Sequence, residues 1–71
     1  MDTRIDTPKA LGAAIRERRR ELGLTQEDVA GVARTGPRFI GDLEAGKPTV
    51  QLAEVLRVLA ALGLDLELKS R

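Results

Sequence analysis

Seventy-one residues with no cysteine and no histidine make one small domain, which buries only about 60% of the surface its unfolded chain exposes and has no disulfide to staple it. No thiolate or imidazole is present for metal binding or acid–base work, no apolar run approaches the roughly 20 residues of a membrane span, and MDTRIDTPK is too polar for a secretory signal. An enzyme, a metal or cofactor protein and a membrane protein are therefore set aside for a cytoplasmic chain; its twelve Lys and Arg against eleven Asp and Glu give only +1, so any nucleic-acid role must come from where the cations lie.

Residues 1–6 are polar and expected to fray. Thr7-Pro8 then supplies a capping side chain and a Pro at the first helical position, where its missing N–H costs nothing. Leu11, Ala14, Ile15 and Leu22 share one stripe and Gly23 is a left-handed stop, which predicts a first helix over 8–22. Thr25 with Asp28 three residues later is a capping-box start, and Val29, Ala30 and Ala33 turn inward over a second helix, 26–33. Gly36-Pro37 opens a third, 37–45, with Phe39, Ile40 and Leu43 inward and Gly46 as its stop.

Lys47-Pro48 forces an extended connection, Thr49 is the expected cap, and Leu52, Val55, Leu56, Leu59 and Leu62 line one face of a fourth helix that runs to Gly63. Val58 and Ala61 widen that face beyond what a four-helix core uses. After Gly63 the period becomes two: Leu64, Leu66 and Leu68 alternate with Asp65, Glu67 and Lys69, a half-buried strand with no partner in the chain.

Two short helices joined by about three residues match the helix-turn-helix, whose second helix lies in the DNA major groove. With Phe39, Ile40 and Leu43 inward, the outer arc of the third helix holds Pro37, Arg38, Gly41 and Ala45. Arg38 has the reach and the planar fork to bridge O6 and N7 of a guanine; Gly41 lets the backbone approach base edges, and Pro37 can pack on a thymine methyl. The competing reading is a solvated Arg38 steadied by Asp42 at i+4, with Gly41 merely tolerated. The run RERRR at 16–20 points all around the first helix with Glu17 and Glu21 interleaved, which reads as a solvated face. Arg18 falls inside the apolar stripe, so its stem has to run along the core edge.

From Leu11 to Leu62, about three quarters of the chain, the sequence resembles the Xre/Cro family of helix-turn-helix regulators; GLTQ, RFIGDLEAGKPT and the apolar carboxy-terminal strand are most similar to HipB-type antitoxins. The resemblance implies an all-α, lambda-repressor-like four-helix domain over 7–63, with a short β-strand at 64–69 pairing across a dimer. It implies phosphate contacts from Thr25 and Gln26 at the start of the second helix and from Lys47, and a structural salt bridge between Arg19 and Glu44. Burial of the unpaired strand and of the widened fourth helix calls for a homodimer through Val58, Ala61, Leu62, Leu64, Leu66 and Leu68. Such a dimer presents its recognition helices to half-sites about 34 Å apart on palindromic double-stranded DNA.

A HipB-type antitoxin also neutralises a HipA-like Ser/Thr kinase toxin and represses its own operon, which would place the chain in the cytoplasm at the nucleoid. No residue here marks a kinase-binding surface by itself. A stand-alone Xre-type repressor, and an interaction module that has lost DNA binding, are the alternatives.

One segment departs from the family. Relatives carry Gly at the left-handed position of the turn and then an aliphatic residue tucked into the core, where this chain has Ala33-Arg34-Thr35-Gly36. Either Arg34 accepts a positive φ at a cost of about 1 kcal/mol or more, or the turn shifts so that Gly36 takes the unusual dihedrals. In the shifted form Arg34 and Thr35 are exposed toward DNA and available to phosphate. Pro37 cannot donate a hydrogen bond, so DNA shape is expected to carry more of the specificity.

Overall fold

The computed structural model describes residues 3–71 and contains four helices in the expected order: α1 (Pro8–Glu21), α2 (Gln26–Ala33), α3 (Pro37–Glu44) and α4 (Leu52–Ala61). Of the residues expected to fray, 1 and 2 lie outside the described part; residues 3–6 are exposed and non-helical, with Arg4 and Asp6 3.3 Å apart. The Thr7 hydroxyl accepts the Ala10 N–H at 3.0 Å and starts α1. A full capping box starts α2: the Thr25 hydroxyl accepts from the Asp28 N–H at 3.0 Å while the Asp28 carboxylate accepts from the Thr25 N–H at 2.9 Å. The fourth helix begins later than its sequence predicts. Gln51, not Thr49, stands at its N-cap and no side chain closes it, because Lys47 to Val50 form a turn instead.

All four helices end in the same way, with an amide N–H reaching back five residues: Leu24 to Arg19, Thr35 to Ala30, Lys47 to Asp42 and Leu64 to Leu59, at 2.9–3.1 Å. This closure needs one left-handed residue, and three helices use glycine: Gly23, Gly46 and Gly63. In α2 the position falls to Arg34, at φ 59° and ψ 48°. The shifted turn is thereby excluded, since Gly36 is extended at φ −89° and ψ 154°. A Cβ in this conformation crowds its own carbonyl, at roughly 1–2 kcal/mol. Arg34→Gly is therefore expected to raise stability by on the order of 1 kcal/mol in thermal or urea melts, the gain being trimmed by the greater freedom of unfolded glycine; a loss of stability would show that the Arg34 side chain has a folding role the turn does not reveal.

Ile15 of α1, Val29, Ala30 and Ala33 of α2, Ile40 and Leu43 of α3, and Val55, Val58, Leu59 and Leu62 of the α4 region form one buried cluster. Leu11, Leu24, Phe39, Val50, Ala61 and Leu64 pack around it. The third helix is thus held by α1 on one side and α2 on the other, while α4 backs α2. The α1–α3 approach is close enough to require Gly12: a Cβ there would overlap the Leu43 carbonyl oxygen and come within 2.7 Å of that of Glu44.

Two expectations need correction. Leu22 leaves the core stripe because α1 stops at Glu21, and its side chain is exposed. In α4 the core takes Val55, Val58, Leu59 and Leu62, so Val58 and Leu62 are 0% and 1% exposed and have no area left for a dimer interface. Leu52 and Leu56 turn outward instead, Leu52 at 65% exposure. Residues 64–71 carry no strand within this single chain; Leu64 lies against the core, while Leu66 and Leu68 are exposed.

Candidate nucleic-acid interface

Pro37 sets the first dihedral of α3, and burial of Ile40 and Leu43 with partial burial of Phe39 fixes which arc faces outward. Pro37, Arg38 and Ala45 are exposed on that arc, as expected, and Gly41 is half-buried beside Gln26, whose Oε1 would lie 3.7 Å from a Cβ at that glycine. The start of α2 therefore sits beside the middle of α3. Asp42 does not steady Arg38. It faces Lys47 at 3.6 Å, and among the described residues no carboxylate pairs with the Arg38 guanidinium.

Beneath this surface Arg19 and Glu44 make a two-pronged ion pair, Nε to Oε2 at 2.6 Å and Nη2 to Oε1 at 3.0 Å. Their side chains are 11% and 4% exposed, so the expected tie between α1 and α3 is present and nearly dry. The third Arg19 nitrogen, Nη1, donates to the Leu24 carbonyl at 2.8 Å, pinning the α1–α2 loop. Glu44 also accepts from Gln26 Nε2 at 3.2 Å, which settles the side chain of the first α2 residue against α3.

Burial pushes the Glu44 carboxyl upward, but hydrogen bonds from Arg19 and Gln26 and the charges of Arg19 and Arg16 outweigh it and hold it below its ordinary value of 4.5. The hydrogen bond that Arg19 donates to Glu44 correspondingly raises the Arg19 guanidinium, against its own burial. A carboxyl lowered on folding stabilises the fold above the unfolded value and loses that contribution as pH falls through the folded one. Asp28, lowered by its bonds to the Thr25 backbone and side chain, acts in the same direction. Thermal stability is expected to be flat near neutrality and to fall as pH drops below about 4.5, with Glu44→Gln less stable at pH 7 but flatter below it; an unchanged acid profile in that variant would place the acid sensitivity elsewhere.

The expected phosphate ligands divide. Thr25 accepts the Asp28 N–H but keeps its hydroxyl proton, and the Gln26 and Glu27 amides at the α2 start have no helical partner, so this end can receive an anion. Gln26 retains one amide hydrogen beyond the bond to Glu44. Among the described residues Lys47 is engaged by Asp42 alone, through a partly exposed pair weak enough for a phosphate to compete. Arg34 is exposed in the turn.

Thr35 is not where its sequence places it. Its hydroxyl donates to Glu54 Oε1 at 3.0 Å, so it turns toward α4 rather than toward solvent.

Two residues that local patterns missed complete this contact. Arg57 Nε donates to the Ala33 carbonyl at 3.0 Å, closing the α2 end, and its Nη2 lies 3.8 Å from Glu54. Their i,i+3 spacing with opposite charge was the available signal. Arg18 plays the matching part at α4, where its Nε donates to the Leu62 carbonyl at 3.0 Å; this is where its stem leads along the core edge. Arg18, Arg19 and Arg57 thus brace backbone carbonyls, whereas Arg34 and Arg38 stand on the surface without a carboxylate partner among the described residues.

A family described as "Helix-turn-helix domain" matches residues 10–71. The chain belongs to this helix-turn-helix family. It is 52% identical over 68 residues to the uncharacterized HTH-type transcriptional regulator y4mF of Sinorhizobium fredii, covering 96% of this chain and 90% of that one. HipB in a HipB-O4 20mer complex superposes with a TM-score of 0.90 at 23% identity and 97% coverage of both chains, and the HipA-HipB-O2-O3 complex gives the same values. The clp gene regulator ClgR from C. glutamicum matches at a TM-score of 0.74 and 32% identity, over 87% of this chain and 80% of its own. The helix-turn-helix fold is therefore the all-α HipB fold expected from the sequence, and y4mF and ClgR are both described as regulators.

Proposed function

We propose that this helix-turn-helix protein is a dimeric, sequence-specific DNA-binding repressor, the HipB-like antitoxin of an operon that also encodes a HipA-like Ser/Thr kinase. The observation that carries DNA binding is the construction of α3: its inner face is locked by Ile40, Leu43 and the Arg19–Glu44 tie, while its opening turn offers an exposed Arg38 beside Pro37 and the small Gly41. In this reading Arg38 bridges a guanine edge, Pro37 and Gly41 allow close approach, and Thr25, Gln26, Arg34 and Lys47 hold phosphates on either side. Thr35 is withdrawn from the phosphate set because its hydroxyl is committed to Glu54.

The dimer in this proposal uses the outward faces of Leu52 and Leu56 with Ala61, Leu64, Leu66 and Leu68, the last being 96% exposed. A strand from residues 64–69 pairing with its symmetry mate would cover these leucines and remove two open edges at once. The chain's work is then cytoplasmic, at the nucleoid, on a palindromic operator. Fold likeness to HipB, including HipB complexed with HipA, supports the antitoxin assignment. Selection from a random duplex pool tests the DNA reading and is expected to enrich an inverted repeat; co-purification of a kinase encoded in the adjoining reading frame tests the antitoxin reading. Without such a kinase the protein is a stand-alone repressor.

Gly41→Ala separates fold from function. An alanine in the middle of a helix is better than glycine by about 0.5–1 kcal/mol, and at 3.7 Å from Gln26 Oε1 the added methyl meets only ordinary contact. The melt should rise while affinity for the enriched duplex falls, since the methyl stands between α3 and the base edges. Affinity that rises with stability would remove Gly41 from the interface.

A further inference from the structure

We infer that Thr35, Glu54 and Arg57 form a clasp that sets the angle at which α3 enters DNA, making Glu54 and Thr35 positioning residues for sequence readout although neither touches DNA. The inference rests on the reading of α3 as the recognition helix. The turn from Arg34 to Gly36 is closed in its backbone by the Thr35 N–H on the Ala30 carbonyl at 3.0 Å, but its side chains give it little other anchorage. Arg34 is in a strained left-handed conformation, Gly36 caps α3 without a side chain, and the side chains that follow, Pro37 and Arg38, are exposed. Firm burial of α3 begins only at Ile40.

Between these points the α4 side chains grip both sides of the turn. Arg57 Nε holds the Ala33 carbonyl just before it at 3.0 Å, and Glu54 Oε1 holds the Thr35 hydroxyl within it at 3.0 Å. The two gripping residues face each other at 3.8 Å, so each orients the other. A bidentate contact from Arg38 depends on placement of the α3 opening to a fraction of an ångström, and among the described residues the clasp is the tertiary polar contact on that segment. In a chain whose turn lacks both the usual glycine and an apolar anchor, a hydrogen-bonded anchor supplies the missing constraint.

The test uses Glu54→Ala and Thr35→Val, which remove the clasp from either end, and Glu54→Gln, which keeps an acceptor for Thr35. Each is measured against a duplex enriched from a random pool by the wild-type protein and against a scrambled duplex of equal length and salt, well below the melting temperature. The clasp predicts that Glu54→Ala and Thr35→Val lose roughly five- to tenfold on the enriched duplex with the scrambled duplex unchanged, and that Glu54→Gln recovers most of the discrimination. Equal losses on both duplexes, losses that track the melting temperature, or no loss would each overturn it. If the wild-type chain enriches no duplex, the DNA reading falls and the clasp's role falls with it; intact wild-type discrimination in both variants overturns the clasp alone.

Discussion

Arg19→Ala is expected to destabilise the fold by about 3–5 kcal/mol, because it strands a charged Glu44 that is only 4% exposed. For a chain of this size that is a drop of roughly 12–40 °C in Tm, enough to unfold much of the population at physiological temperature. Three bonds disappear together: the two to Glu44 and the one to the Leu24 carbonyl. Arg19→Lys should fall between, since an ammonium keeps the charge but cannot reproduce the fork. Replacing both partners, Arg19→Met with Glu44→Leu, should recover much of the stability, because a buried pair exchanged for apolar side chains is often neutral. That double variant would still leave Gln26 without the acceptor that settles it on α3, so DNA affinity should stay reduced after the fold is restored. Circular-dichroism melts of the four proteins check the order.

Arg38→Ala has the opposite profile. The side chain is exposed and no carboxylate pairs with it among the described residues, so the melt should move by no more than about 0.5 kcal/mol. Loss of a bidentate guanine contact is expected to cost about 1–3 kcal/mol of affinity on the enriched duplex, and to relax preference at that one base position. Arg38→Lys keeps the charge and should preserve binding to a scrambled duplex while still losing discrimination. Fluorescence anisotropy on the two duplexes measures both terms. Unchanged affinity in Arg38→Ala would remove Arg38 from the base contacts; failure of the wild-type chain to enrich any duplex is the result that would favour the interaction-module alternative.

The helices were legible because punctuation and period agreed: Thr7-Pro8, Thr25 with Asp28, and Gly36-Pro37 each start a helix where the structure starts one. The Arg19–Glu44 tie followed from the family resemblance, and the outer arc of α3 from its three inward apolar residues. The fourth helix misled because it is apolar around much of its circumference. Periodicity alone then gives no reason to send Val58 inward and Leu52 and Leu56 outward; packing against α2 decides it. The turn was ambiguous because Arg34 and Gly36 were both candidates for the left-handed residue, and only the amide of Thr35 reaching Ala30 selects Arg34. The partner of Thr35 lies nineteen residues away on another helix, beyond the reach of any local pattern.

Methylation interference on the enriched duplex tests DNA entry by α3 most directly, since N7-methylguanine blocks the major-groove edge that Arg38 is assigned to grip. The account predicts interference at guanines in two half-sites about 10 base pairs apart, absent at the same guanines when Arg38→Ala is used. No retardation of any duplex at low ionic strength, or interference confined to the minor groove, would contradict it.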